Sequence, residues 1–335
     1  RLRQSFNCTV EQNYVETNTA FSSDWWVSEG ITLEYSSNNT VRRNRLVSNV
    51  GLGGINIMSS LNNTVIENTI IGGVWFGGLI LSFSEDNFIA SNRITNNRVG
   101  LVLTSSPNNI LRNNSMVHNW CNFAPWKTSF LDGWWNGPSD VDTSNTVDGK
   151  PICYWVNVRD RVAPSDAGCV VLVSCENIIV ENLELRDNFN GVFIASSSNI
   201  LIRSNNITHN FCNYEHLSSG ILALGDSSNI TVTMNNVTAN DSGILLWGKN
   251  NTVSLNKIAN NNDVGIGLAE GSIAIYNNVT CNVKAGVYIG GSNCTVSSNN
   301  IMANIGVGIS VSGSNHTITF NTIVGYGKPY ESIIN

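Results

Sequence analysis

A unit of the form G-[IV]-x-[LI]-x-x-S-x-N-N-T-V-x-x-N-x-I-x-x-N recurs from end to end of the 335 residues. Self-similarity at a fixed short period dictates a solenoid, because a unit of this size has no core of its own and buries its apolar face only against its neighbours. The anchoring asparagines are Asn13, Asn44, Asn68, Asn92, Asn114, Asn182, Asn205, Asn235, Asn256, Asn277, Asn299 and Asn321. They set a basal period of 21 to 24 residues. Within each unit, runs such as Gly30-Ile-Thr-Leu33 and Gly286-Val-Tyr-Ile289 alternate over a few residues between Asn, Gly and Ser, the signature of short strands separated by corners. Three strands and three corners per unit make one rung of a right-handed parallel β-helix. The expectation is an all-β chain of about twelve rungs, with the anchoring asparagines stacked in a ladder. Asparagine tolerates the left-handed backbone that a sharp corner needs, and stacked amides satisfy one another.

Composition agrees. Only 13% of residues are charged, while Asn (53 residues) and Gly (29) are abundant; both disfavour helices. A net charge of -6 and the lack of any basic run argue against nucleic acid as a partner. No apolar stretch approaches the ~20 residues of a membrane span. The eight cysteines contain no C-x-x-C pair; disulfides in an oxidising compartment and buried free thiols are equally compatible with their spacing. The four histidines show no ligand spacing, so neither a metal nor another cofactor is expected.

The repeat divides the chain into rungs over residues 1–120, a Trp- and Pro-rich insertion over 121–167, and rungs again over 168–335. Shorter insertions cover 19–29 and 211–219. Trp25, Trp26, Trp126, Trp134, Trp135, Asp140, Asp142 and His216 fall in these insertions. Aromatic rings beside carboxylates make a sugar platform; a small core for the insertion built from the same tryptophans is the favoured reading, since Trp is highly buried on average. N-x-[ST] sequons at Asn7, Asn38, Asn62, Asn113, Asn206, Asn229, Asn236, Asn240, Asn250, Asn278, Asn293 and Asn315 are candidate N-glycan acceptors. The second residue after each strand glycine is expected to point outward. Ile80, Val102, Val170, Phe193, Leu222 and Leu245 then form an apolar stripe, which the long insertion or another chain must cover.

The repeated N-N-T-V-x-x-N units resemble the NosD-like right-handed parallel β-helix proteins, named for a periplasmic factor of copper-enzyme maturation and common among secreted and surface proteins. The run Asp142-Thr-Ser-Asn-Thr-Val-Asp-Gly-Lys-Pro-Ile-Cys-Tyr-Trp-Val-Asn157, followed by Pro164-Ser-Asp-Ala-Gly168, is similar to a segment of archaeal surface members. The fold implied is the one read from the repeat. Because the repeat is already running at Asn7 and still running at Asn321, the leading functional expectation is a structural glycoprotein, extracellular or at the cell surface. It would self-associate through the stripe or its ends into a filament or surface layer. The alternative is a carbohydrate-binding or carbohydrate-cleaving protein acting at the insertions.

Overall fold

A computed structural model describes residues 1–17, 29–49, 53–73, 77–125, 137–212 and 218–325. All regular structure among them is β-strand, and the fold is a right-handed parallel β-helix of about twelve turns. Two compact units are distinguished. Unit 1 comprises Arg1–Val156, Asp166–Val171 and Arg186–Asn190; unit 2 comprises Asn157–Ser165, Leu172–Leu185 and Gly191–Asn335.

Each turn of unit 1 contributes a strand to each of three sheets. The first sheet holds Glu29–Glu34, Gly53–Met58, Leu79–Ser82, Val99–Thr104 and Cys121–Ala124 in parallel order. The second runs from Thr9–Glu11 through Thr40–Arg42, Thr64–Ile66, Phe88–Ala90 and Ile110–Arg112 to Asp140–Val141. The third runs from Tyr14–Glu16 through Arg45–Val47, Thr69–Ile71, Arg93–Thr95 and Ser115–Val117 to Thr146–Val147. Registers place like on like: Val41, Val65, Ile89 and Leu111 form one column, and Leu46, Ile70, Ile94 and Met116 another. Every one of these side chains is buried, so apolar burial repeats each time the chain passes. Corners adopt the left-handed region, as at Arg43, Glu67, Ser91 and Asn113, with φ of 53 to 58°.

Unit 2 repeats the plan. Its first sheet includes Ser219–Ala223, Ser242–Leu246, Val264–Leu268, Ala285–Ile289 and Val307–Val311. Its third includes Asn206–Thr208, Asn236–Thr238, Lys257–Ala259, Asn278–Thr280, Asn300–Met302 and Thr322–Val324.

Asparagine amides stack at the corner before the third sheet. In unit 1, Nδ2 of Asn13, Asn44, Asn68, Asn92 and Asn114 each donates to Oδ1 of the next, ending on Asn145, at 2.9 to 3.0 Å. In unit 2 the stack runs Asn205, Asn235, Asn256, Asn277, Asn299 and Asn321. Two corrections to the sequence register follow. Asn182 is exposed at φ 57°, one residue before the stack, and Leu183 takes the buried position, its N–H donating to Asn205 Oδ1. The stretch 121–167 is also not one loop excursion: Cys121–Ala124, Asp140–Val141 and Thr146–Val147 pair in parallel with the turn below. Asn145 is that turn's ladder residue, hidden from the repeat pattern by acids on either side.

Candidate functional site

Of the residues read as a sugar platform, Trp25, Trp26, Trp126, Trp134, Trp135 and His216 lie outside the described residues. Asp140 and Asp142 are engaged with one cation. Arg112 pairs with Asp140 Oδ2 and reaches Asp142 Oδ2 at 3.3 Å, and Asp142 Oδ1 also accepts the Ser144 N–H at 3.1 Å. These acids fasten a turn.

The apolar stripe is buried within the chain. Ile80, Val102, Val170, Phe193, Leu222 and Leu245 are each no more than 8% exposed, so they offer no face for assembly. Eight sequon asparagines, Asn7, Asn38, Asn62, Asn113, Asn229, Asn250, Asn293 and Asn315, sit exposed at left-handed corners. Asn206 and Asn278 are exposed on strands, and half-buried Asn236 donates to Asn206 Oδ1 at 2.7 Å. Asn240 corrects its own assignment: it is wholly buried, and its Nδ2 is held by Ile207 O and Asn261 Oδ1. A glycan has no access there. No two of the described cysteines stand at disulfide distance, and burial pushes the Cys169 thiol up to about 12.

A different group of polar side chains converges in unit 2. Ser218, Asp241, Asp263 and Lys284 each stand two residues before a strand glycine, at Gly220, Gly243, Gly265 and Gly286. The backbone comes close to the next turn here: a Cβ at Gly265 would lie 2.6 Å from Gly286 O and 2.8 Å from Asn282 Nδ2. That constraint fixes where the preceding residue enters the strand. Asp263 N–H donates to Asp241 O at 2.7 Å, and Lys284 N–H to Asp263 O at 3.0 Å, so the three lie on successive turns. Both aspartates are 8% exposed. Burying carboxylates this deeply requires partners. Ser218 Oγ donates to Asp241 Oδ2 at 2.9 Å, and Lys284 Nζ meets Asp263 Oδ1 at 3.3 Å. Lys284 keeps a largely exposed ammonium.

The far ends of the same strands carry aromatic rings. Trp247 and Tyr288 meet edge to face, with centroids 6.1 Å apart, across Gly267 in the intervening strand. Asp263 and Gly267 are four residues apart, about 13 Å of extended chain. Acids at one end and aromatic faces at the other are the two surfaces a sugar chain requires. Sequence reading passed over the aspartates because it followed the residues after each glycine. The signal lay two positions before it, where Ser, Asp, Asp and Lys replace one another in consecutive repeats.

Among the described residues no helix is long and apolar enough to cross a membrane. A family model described as "Periplasmic copper-binding protein (NosD)" matches residues 2–129 and 145–283. The described residues do not fit a copper site: no three His, Cys, Asp or Glu side chains gather around one point. His316 spends Nδ1 on Cys294 N–H and Nε2 on Ser312 O. No curated protein matches. Among solved structures, the periplasmic alginate epimerase AlgG is similar at 11% identity and TM-score 0.40, over 94% of this chain and 85% of that one. The Azotobacter vinelandii mannuronan C-5 epimerase AlgE6 A-module is similar at 14% identity and TM-score 0.35, over 94% and 90%. The DFA-IIIase of Arthrobacter chlorophenolicus A6 without its lid is similar at 12% identity and TM-score 0.27, over 86% and 63%. The expectation of a structural glycoprotein assembling into a filament or surface layer is overturned. Its apolar stripe is buried, and the description of the matching family holds no such role. With a family model aligned over most of its length, the chain belongs to the NosD family of parallel β-helix proteins.

Proposed function

We propose that this chain is a carbohydrate-active β-helix protein of the periplasm or of secreted material, with Asp241 and Asp263 of unit 2 as its reacting groups. One observation carries the reading: two nearly buried carboxylates on successive turns, one held by a hydroxyl and the other by an ammonium. Successive turns lie about 4.8 Å apart, close to the ~5 Å between the two carboxyl groups of retaining glycosidases. Asp263, its charge balanced by Lys284, attacks the anomeric carbon as the glycosidic C–O bond breaks. Asp241 gives its proton to the departing oxygen. Water then releases the sugar, returning the proton to Asp241. Trp247 and Tyr288 supply apolar faces for neighbouring sugar rings. The family description supports the compartment, and the eight exposed corner sequons are the acceptors assigned here for N-linked glycans.

The test is release of reducing ends from a panel of neutral and acidic polysaccharides. Asp241→Asn and Asp263→Asn are each expected to lower the rate by roughly 10²-fold or more, with circular dichroism unchanged. Activity that survives both substitutions, or silence of the native chain across the panel, overturns the reading.

A further inference from the structure

The third sheet of unit 1 carries a separate feature. Registers align Tyr14, Arg45, Thr69, Arg93 and Ser115 in one column, one residue per turn. Their inward neighbours Leu46, Ile70, Ile94 and Met116 are buried, so the column faces outward, as alternation along a strand requires. Arginines elsewhere in the unit are spent: Arg1 and Arg3 meet Glu34, Arg42 meets Glu11, Arg43 meets Glu67, Arg112 meets Asp140, Arg186 meets Asp187, and Arg98 lies over the Trp120 ring. Arg45 and Arg93 are exposed, and among the described residues neither makes an ion pair or a side-chain hydrogen bond. The strands Arg45–Val47, Thr69–Ile71, Arg93–Thr95 and Ser115–Val117 contain no carboxylate. The acid on the first turn, Glu16, is engaged by the Tyr14 hydroxyl, which that hydrogen bond holds above its usual range. Beside the column, Val47, Ile71 and Val117 are half-buried and apolar.

We infer that this face binds a linear acidic polysaccharide, with Arg45 and Arg93 pairing its acidic groups and Val47, Ile71 and Val117 covering the apolar faces of its rings. Two turns separate the arginines, about 10 Å, close to the length of two hexopyranose residues, so a chain lying along the column presents an acidic group to each guanidinium. Guanidinium forks pair with carboxylates in two-point fashion, and desolvation against an apolar strip strengthens the pairing. A single-stranded nucleic acid fits less well, because base stacking needs a series of aromatic rings and the column offers only Tyr14. The inference is independent of the reaction proposed for unit 2.

The experiment titrates the full chain with polygalacturonate at low and raised salt, using dextran and single-stranded poly-dT as comparison probes. Polygalacturonate is expected to bind with an affinity that falls as salt rises. Arg45→Ser with Arg93→Ser should weaken it at least roughly tenfold, while Arg161→Ser, at an arginine of unit 2 that makes no ion pair among the described residues, leaves it unchanged. Asp263→Asn should abolish cleavage and leave this binding intact, which separates the two claims. Both arginines are exposed, so the double variant should keep the native circular dichroism. Failure of polygalacturonate to bind at low salt overturns the inference, as does binding unaffected by the double substitution. Equal binding of dextran, or tighter binding of poly-dT, does the same.

Discussion

Asn277 Oδ1 accepts two hydrogen bonds from Asn256, one from its backbone N–H at 3.0 Å and one from its side-chain Nδ2 at 3.0 Å. Asn277 in turn donates its own N–H and Nδ2 to Asn299 Oδ1, both at 2.9 Å. The Asn277 oxygen therefore terminates two buried donors of the turn before it, and the amide is a structural acceptor as much as a corner residue.

Asn277→Ala should be costly out of proportion to the atoms removed. It leaves the buried Asn256 N–H without an acceptor where water does not reach, a loss of about 2 kcal/mol, while Asn256 Nδ2 keeps the Val232 and Ser254 carbonyls. Asn278→Ala, one residue on and exposed, removes no buried partner. Urea midpoints of the two variants should separate clearly, and equal midpoints would show that the ladder contributes little.

The repeat was legible because one residue type meets two demands at once, the tight corner and the vertical hydrogen bond. Where the demands separate, reading fails. Leu183 keeps a buried position at the corner without an amide, so the pattern slipped onto Asn182, and Asn188 is the buried member of the next corner. Asn145 was lost because Asp142 and Asp148 stand around it. The burial of Ile80 and Leu245 depends on what packs against an outward face, which periodicity along the chain does not encode. Asp241 and Asp263 were missed for a related reason: their proximity comes from stacking across about 22 residues, and each is an ordinary lone acid in its own repeat.

The corner at Met234, Leu255 and Tyr276 holds large side chains at φ of 55 to 57°, where L-residues other than Asn are disfavoured. Leu255 is 56% exposed, so its side chain gives little burial in return. Leu255→Asn should therefore raise stability by about 0.5–1 kcal/mol, read as a higher denaturant midpoint. A lower midpoint would mean that the Leu255 side chain has a packing role.

Two buried groups in unit 1 weigh on alkaline stability. Burial pushes the Tyr154 phenol and the Cys169 thiol each up to about 12, from ordinary values of 10.0 and 9.0. Both are neutral when protonated, and the unfolded chain releases these protons first. Their contribution is complete below about pH 9 and is lost as pH rises towards 12, stability falling because the unfolded state binds fewer protons. Denaturation midpoints should be flat across neutral pH and fall steeply between about pH 9 and 12. Tyr154→Phe should soften the upper part of that fall. In the folded protein Cys169 should resist alkylation at neutral pH, and rapid labelling would contradict its burial.

Gly267 is the hinge of the aromatic pair. A Cβ at this position would lie 2.9 Å from Leu245 Cδ2 and 3.1 Å from Trp247 Cη2, so Ala requires a small shift of Leu245, whereas Leu occupies the space of the indole. Gly267→Ala should then cost about 1 kcal/mol and keep the near-ultraviolet dichroism of Trp247 against Tyr288. Gly267→Leu should erase that signal by displacing the ring from its edge-to-face contact. If the aromatic faces hold sugar rings beside Asp263, Gly267→Leu and Trp247→Ala should raise KM several-fold and leave kcat little changed, since they remove binding common to ground and transition states. A fall in kcat at constant KM would instead place Trp247 against the reacting bond and require the acid pair and the aromatic pair to share one subsite.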